Sequence, residues 1–427
     1  MSESTPRSAW SSRLGFILAA AGSSVGLGAI WKFPYMAGTN GGSIFMLPTI
    51  AFALTIGLAL LMTEMCMGRT SRGGAGTAFR KLGTPLTRFF GPVSVLTGAL
   101  VLGFYSVVGG WCTHYLLASL TGNLAADDPQ ALRAAFEAFA ADPYEAAGCH
   151  VLFLSATALV VLAGVQKGIE RVGKVLMPLL FILMLILIGR GLTLPGAMEG
   201  VKFLFKPDWE AFTGEALLNA MGFAFFSLSV GSGSMMNYGS YLSKDVNIGP
   251  ATLWIVVLAV MASVLGGLMI MPAVFSHMPL GSFFAVLFFL SLFVAALTSA
   301  ISILEMASQH FVDRHGFTRR NAVLLVATGL GILGVFCALS FGPLNGVKLF
   351  GLTLFEGLDY LTSNIGMPLG CLGIAVVGCW TAWPAIRTEL TKNGRWSEKG
   401  LAAFRLFAGI LAPVLILVVA ARGLGFF

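Results

Sequence analysis

The amino-acid sequence predicts an all-α polytopic membrane protein. Ten spans form a 5+5 inverted repeat whose first and sixth helices are broken, and one extra helix follows at the C-terminus. Three observations carry this prediction. The 427 residues are 57% hydrophobic and 11% charged, with a mean hydropathy of +0.86, which is outside the range of soluble domains. Apolar runs of about 20 residues, the length that crosses a hydrocarbon core of roughly 30 Å, recur along nearly the whole chain. Two of these runs are interrupted midway by Gly and Ser, and four uninterrupted runs lie between them.

The spans fall at about 13–38, 43–68, 93–122, 147–165, 171–191, 215–240, 251–275, 283–309, 321–341, 350–381 and 401–423. They make one transmembrane domain over 1–427, with repeat one at about 13–191, repeat two at about 215–381 and the extra helix at about 401–423. In the first span, RLGFILAAAGSSVGLGAIWKFPYMAG, residues Gly22, Gly26 and Gly28 cluster with Ser23 and Ser24. Each glycine costs about 1 kcal/mol against Ala inside a helix. Unwound backbone in hydrocarbon also strands N–H and C=O groups. Such a break persists where the freed groups are buried in protein or hold a ligand. A Gly-rich span packed closely on a neighbour is the other reading of this stretch. In the sixth span, FAFFSLSVGSGSMMNYGSY, Gly231-Ser232-Gly233 makes the second break, with Ser227 and Ser229 just before it. The eighth span carries Thr298-Ser299, two hydroxyls that either face a cation or bond back to their own helix.

Lys and Arg set the orientation. With the N-terminus cytoplasmic, 19 of the 26 lie on the cytoplasmic side, 6 outside, and Lys32 within a span. This positive-inside bias puts the C-terminus outside and accounts for the net charge of +7 without a nucleic-acid partner. Residues 69–92 read as a cytoplasmic loop with a short interfacial helix. The acidic stretch 123–146, with Asp127, Asp128, Glu137, Asp142 and Glu145, suits the outside, and 381–400 is a basic cytoplasmic linker. Arg7, Arg13 and the Ala19–Ala21 run imitate a cleaved leader, but apolar character continues through Ile30, as a span requires. The six cysteines lack C-x-x-C or metal spacing and read as packed thiols. The five histidines are scattered and no H-E-x-x-H appears, so the chain is not expected to be an enzyme.

Five separated motifs, RLGFILAAAGSSVGLGAIWKFPY, NGGSIFMLP, FYSVVGGW, FFSLSVGSG and ALTSAIS, together resemble the neurotransmitter:sodium symporters. The resemblance is to the bacterial, eleven-span amino-acid branch and covers essentially the whole chain. It implies a sodium-coupled symporter of the cell (inner) membrane that imports an amino acid by alternating access. A non-transporting receptor or a channel on the same scaffold is the alternative. The implied second sodium site uses the carbonyls of Gly22, Val25 and Ala295 and the hydroxyls of Thr298 and Ser299. At the implied first site the family's first-span Asn position holds Ala29, and Leu258 and Ala259 lie near the place of its seventh-span Asn. That leaves the Ser24 carbonyl, Ser227 and the substrate's carboxylate, so this site is weak, rearranged or missing. At least one sodium ion is expected. Thr49 and Phe223 replace usual chloride-region residues, so chloride is not.

By the same resemblance the substrate meets Ser23, Ser24, Gly26, Leu27 and Gly28 of the first span and Val101 and Tyr105 of the third. It also meets Phe225, Phe226, Ser227, Ser229 and Ser232 of the sixth span, and Ser299 and Ile303 of the eighth. Its carboxylate faces the freed backbone of the first span and the Tyr105 hydroxyl. Monoamine relatives carry Asp where this chain has Gly26, which favours a substrate that brings its own acid group. Ser232 stands where some relatives have a bulky residue, and the room favours a medium or large hydrophobic amino acid. Tyr105 and Phe226 form the lid over the substrate. Lys32 with Asp359 makes the outer gate, and Arg7 and Trp10 face Asp313 near Tyr241 on the inside. An ionisable residue within a span, such as Lys32, is functional by default. Gly168 and Pro178 match a pattern linked in relatives to local unwinding, or mark only a helix start and a kink. Residues 276–282 leave a short turn where relatives carry a long outer loop. The partners expected are the amino acid, sodium and the bilayer, with the chain a monomer or weak oligomer.

Overall fold

The computed structural model describes residues 8–122, 129–270, 280–392 and 396–426. Among these, nine helices are each long and apolar enough to cross a bilayer. Arg13–Ser24 and Gly28–Thr39 together make a tenth span, bent by 53° at its break. Gly214–Ser227 and Ser234–Ser240, parted by residues 228–233, make another span in two pieces. The first and sixth spans are thus both broken, as their glycines and serines require. The unbroken spans are Ser43–Ser71, Phe90–Thr121, Pro143–Leu162, Val165–Gly191, Ile248–Met269, Gly281–His315, Arg319–Leu339, Leu354–Thr381 and Glu398–Gly423.

Their ends follow local chemistry. Ser12 caps the first span by accepting from the Gly15 N–H at 3.0 Å. Thr353 and Glu356 make a reciprocal capping box at the start of the tenth. The eighth span runs six residues past its expected end and stops at Gly316, a left-handed cap at φ 69°. The expected interfacial helix is Ala75–Leu82. Pro129–Ala141, Ala197–Phe205 and Trp383–Thr391 are further short helices in stretches whose composition reads as loop. Arg7, Asp127, Asp128 and residues 276–279 of the short seventh-to-eighth connection lie outside the described residues. All six cysteines are free thiols.

Five spans is an odd number, so the second half of the chain enters the bilayer from the opposite face to the first. The third, fourth, eighth and ninth spans pack on one another as one bundle. The first and sixth pack against the second and seventh, while the fifth bridges the first, seventh and eighth. The second half of the sixth span, Ser234–Ser240, is buried at all seven positions. It lies against the second span through paired glycines. A Cβ on Gly68 would overlap the Met236 carbonyl, and one on Gly239 would come within 2.5 Å of the Met65 carbonyl.

Candidate ion and substrate site

The first span leaves helical geometry at Val25, with φ −89° and ψ 70°. Its last helical bond runs from the Val25 N–H to the Ala21 carbonyl, at 2.6 Å. The glycines beyond serve close approach. A Cβ on Gly26 would lie 2.5 Å from the Ser299 hydroxyl and 3.0 Å from that of Tyr105, and one on Gly28 would lie 2.8 Å from the Phe226 ring. Gly22 packs on Thr298 and Met177, while Gly26 and Gly28 line a cavity. In the sixth span Ser229, Gly231 and Gly233 take φ values of 54°, 91° and 83°. The freed N–H groups of Gly231 and Met236 donate to the carboxylate of Glu64, at 3.3 and 3.2 Å. Glu64 is fully buried on the second span, and reading by motif passed over it. The rule that marks Lys32, an ionisable group inside a span, marks Glu64 as well.

Between the two breaks lies a cavity of about 60 Å³. Twelve of the fourteen expected substrate residues line it: Ser23, Ser24, Gly26, Gly28, Val101, Tyr105, Phe226, Ser227, Ser229, Ser232, Ser299 and Ile303. Met367 of the tenth span completes the wall without any sequence signal of its own. The other two lie elsewhere. Leu27 lines the space above, although its N–H donates to the Tyr105 hydroxyl at 3.2 Å. Phe225 faces a lateral cavity. Hydroxyls tie the walls together. Ser299 donates to the carbonyls of Gly22 and Ser23 at 3.2 and 3.1 Å, and Ser229 donates to Ser23 at 3.1 Å.

The donors of the second sodium site fit a hard monovalent cation. Ser299 reaches the Gly22 carbonyl, and Thr298 Oγ1 lies 3.1 Å from the Ala295 carbonyl. A Cβ on Gly22 would lie only 3.1 Å from that of Thr298, so carbonyls of the first span and hydroxyls of the eighth meet as neutral oxygens. The implied first site has fewer side-chain oxygens to offer. The Ser227 hydroxyl bonds back to Ala224 at 3.1 Å, and that of Ser24 turns to Leu228 at 3.4 Å. Ala29 and Ala259 are buried and offer methyl groups.

The family model of the sodium:neurotransmitter symporter family matches residues 7–139 and 147–275, more than half of the chain. The chain belongs to that family. It is 40% identical over 401 residues to the uncharacterised sodium-dependent transporter YhdH of Bacillus subtilis, across 88% of each chain. A sodium-dependent transporter of Haemophilus influenzae is 31% identical over 97% of both chains. The crystal structure of MhsT in complex with L-phenylalanine matches with a TM-score of 0.89 and 36% identity, over 98% of this chain and 100% of that one. As a member of a family of transporters rather than enzymes, this chain is a sodium-dependent, multi-pass membrane transporter.

The transporter's two faces differ. At one face a vestibule of about 490 Å³ reaches Tyr105 and Phe226, which also wall the substrate-site cavity. Lys32 and Asp359 both line it, but among the described residues no carboxylate pairs with Lys32. Its ammonium stands 4.3 Å above the Phe226 ring, while Asp359 accepts from Ser363 at 3.0 Å. At the opposite face Trp10 packs on Phe16, Tyr238 and Tyr241 and donates to the Tyr238 carbonyl at 3.1 Å. Glu170 accepts from Ser11 N–H, Ser11 Oγ and Ser12 Oγ at 2.7, 2.6 and 3.0 Å, and pairs with Lys174. Tyr241 donates to Glu305 at 2.6 Å, and Arg319 pairs with the same carboxylate. Asp313 accepts from the Gly74 N–H at 3.1 Å and from Gln309 at 2.8 Å. Among the described residues, a vestibule opens at the Lys32–Asp359 face, and side chains pack at the Trp10–Tyr241 face. Glu170, Glu305 and Arg319 went unnoticed in the sequence because each sits near a span end and reads as surface.

The fifth span opens with one wide turn, Val165–Glu170, after Gly164 at φ 91°, and Pro178 lies within the helix that follows. Met177, next to that proline, would touch a Cβ on Gly22 at 3.2 Å.

Proposed function

We propose that this chain is a sodium-coupled symporter that imports a hydrophobic amino acid by alternating access, with one sodium ion per substrate. One observation carries the reading most: the carbonyls freed at the first-span break lie within hydrogen-bond distance of Ser299 on the unbroken eighth span. A bound ion supplies positive charge that draws these two elements together. Gly22, Val25, Ala295, Thr298 and Ser299 hold it, while the loss of Asn at Ala29 and at Leu258–Ala259 leaves the first site the Ser24 carbonyl, Ser227 and the substrate's carboxylate. The buried trio Phe33, Phe45 and Phe223, with ring centroids 5.6–5.8 Å apart, packs the region where relatives bind chloride. This supports transport without it.

The substrate's carboxylate meets the Tyr105 hydroxyl and the backbone of Gly26–Gly28, where the following half-helix presents its N-terminus. The ammonium meets carbonyls around Phe226, Ser227 and Ser229. A cavity of about 150 Å³ takes a benzene ring, so at 60 Å³ the site must widen around Phe226 and Met367 to admit a large side chain. Lys32 and Asp359 then close above the Tyr105–Phe226 lid. Release follows when the Trp10, Tyr241 and Asp313 side parts, with Arg7 joining it, and the Gly168–Pro178 segment admits water beside Gly22. The chain works as one domain of two repeats, about 13–191 and 215–381, plus the helix at about 401–423. It sits in the inner membrane as a monomer or weak oligomer, N-terminus cytoplasmic and C-terminus outside.

Counterflow in proteoliposomes with labelled L-phenylalanine, L-leucine and L-tryptophan tests this. Saturable uptake that needs a sodium gradient and ignores chloride supports symport. Unsaturable flux without a gradient indicates a channel, and sodium-dependent binding with no flux a receptor. Either outcome overturns the proposal. Binding of a decarboxylated amine as tightly as its parent amino acid overturns the substrate reading.

A further inference from the structure

The tenth and eleventh spans meet through two wide turns, Val377–Thr381 in one and Phe407–Leu411 in the other. A wide turn leaves a carbonyl outside the regular helical pattern, and here each span satisfies the other's. Trp380 Nε1 donates to the Gly409 carbonyl at 2.7 Å, and Arg405 Nε donates to the Cys379 carbonyl at 3.1 Å. The second bond fixes Arg405 in the wall of a groove of about 590 Å³ between the two spans and the helix Trp383–Thr391. That helix places the groove at the Trp10–Tyr241 face, since its Glu389 pairs with Arg69, and Arg69 donates to the Val246 carbonyl a few residues past Tyr241. The Arg405 guanidinium stands 5.4 Å from the centre of the Trp383 ring. Around it Trp380, Leu406 and Ile410 are exposed on spans long enough to cross the bilayer. The other charged residues of the lining, Arg387 and Glu398, pair with each other at 2.5 Å. Among the described residues no carboxylate pairs with Arg405, and no acceptor takes its two terminal nitrogens. The lining thus carries one positive charge in excess, on a planar fork beside apolar surface, where a lone cation is costly.

We propose that this groove holds the headgroup of one anionic glycerophospholipid, with Arg405 on its phosphate and its acyl chains along Leu406 and Ile410. Geometry, charge and size choose that ligand. The two free guanidinium nitrogens match two oxygens of a phosphodiester. One positive charge in excess balances the single negative charge of phosphatidylglycerol, whereas phosphatidylcholine brings a cation of its own. At about 150 Å³ for benzene's six carbons, the groove takes roughly two dozen non-hydrogen atoms, which suits a headgroup and the start of its chains. The rest of each chain lies in the bilayer against the exposed side of the eleventh span. Basic pockets between spans recognise headgroups in this way, and indole rings such as Trp380 and Trp383 sit at headgroup level. Free phosphate gains nothing from Leu406 and Ile410. The site does not depend on what the transporter carries.

Native mass spectrometry of the purified full-length transporter tests the site, after delipidation in neutral detergent and titration with phosphatidylglycerol or phosphatidylcholine of the same chains. One phosphatidylglycerol per chain is expected to bind at about fivefold lower concentration than phosphatidylcholine, undisturbed by millimolar inorganic phosphate. Arg405→Gln is expected to remove that preference. Because it also breaks the bond to Cys379, a second pair of variants leaves Arg405 in place. Ala402 is exposed and lies one turn before Arg405 on the same helix. Ala402→Glu offers the guanidinium a carboxylate at i,i+3 and is expected to remove the preference as well, whereas Ala402→Gln keeps it. Equal retention of the two lipids by the native chain, or displacement by inorganic phosphate, overturns the site. So does a preference that survives in Ala402→Glu, or one lost equally in Ala402→Gln.

Discussion

Replacing Thr298 by Val separates an ion ligand from a structural hydroxyl. Among the described residues the Thr298 hydroxyl bonds within its own helix, to the carbonyls of Val294 and Ala295, both at 3.1 Å. Those carbonyls keep their helical partners when it is gone, and valine keeps the shape. Stability without sodium is therefore expected to change by no more than about 1 kcal/mol. The ion loses one of five oxygens, and a hydrogen bond to a charged group is worth about 1.5–3 kcal/mol. At the middle of that range affinity falls on the order of 50-fold, and at its upper end about 100-fold or more. With sodium at about 100 times the wild-type Kd, ion binding stabilises the native protein by about 2.7 kcal/mol. A 100-fold loss of affinity leaves about 0.4 kcal/mol under the same conditions. The assay is thermal unfolding followed by a thiol-reactive dye, which the six free cysteines permit, over a sodium titration balanced with choline. An unchanged sodium midpoint in Thr298→Val would refute the assignment. A large fall in stability without sodium would show that the hydroxyl serves the fold instead.

Gly26→Ala puts a methyl 2.5 Å from the Ser299 hydroxyl and should abolish substrate counterflow; retained uptake would mean the first-span break does not face the substrate. Installing Asn at Ala29 and Ala259 together should raise the Hill coefficient for sodium above the value of about one expected from a single ion. A native coefficient near two, with matching flux ratios of labelled sodium to substrate, would contradict the one-ion reading. Glu64→Ala leaves the N–H groups of Gly231 and Met236 unpaired in the core, at about 1–3 kcal/mol each. It should lower the unfolding midpoint more than Glu64→Gln does, and equal midpoints would count against the carboxylate's structural role. Glu170→Ala frees Ser11 and Ser12, so hydrogen exchange across residues 11–16 should quicken; unaltered exchange would place the inner clamp elsewhere.

Much of this architecture was legible because hydrocarbon penalises irregular backbone. Gly22–Gly28 and Gly231–Gly233 could not sit in apolar runs without consequence, and both spans part where those residues cluster. The Thr298–Ser299 pair was visible for a similar reason, since adjacent hydroxyls are rare company for an apolar helix. What stayed hidden depends on distance along the chain. Glu64 meets its partners 167 and 172 residues away, and Glu170 meets Ser11 from 159, so no local pattern announces either. Phe225 and Phe226 are equivalent as letters. Successive residues on a helix point about 100° apart, which brings Phe226 to the substrate cavity and keeps Phe225 on the lateral one alone. Lys32 shows how far charge matching reaches. Its opposite number in the vestibule is Asp359, but the geometry leaves the two unjoined.

Phe226 borders the substrate cavity, the vestibule and the lateral cavity at once. Its phenyl ring is a party wall, and any change of size there alters three rooms together. A phenotype from replacing it cannot be traced to one of them. Val101, Trp31 and Val419 each border a single one, and these are the positions where probes would report on one compartment at a time.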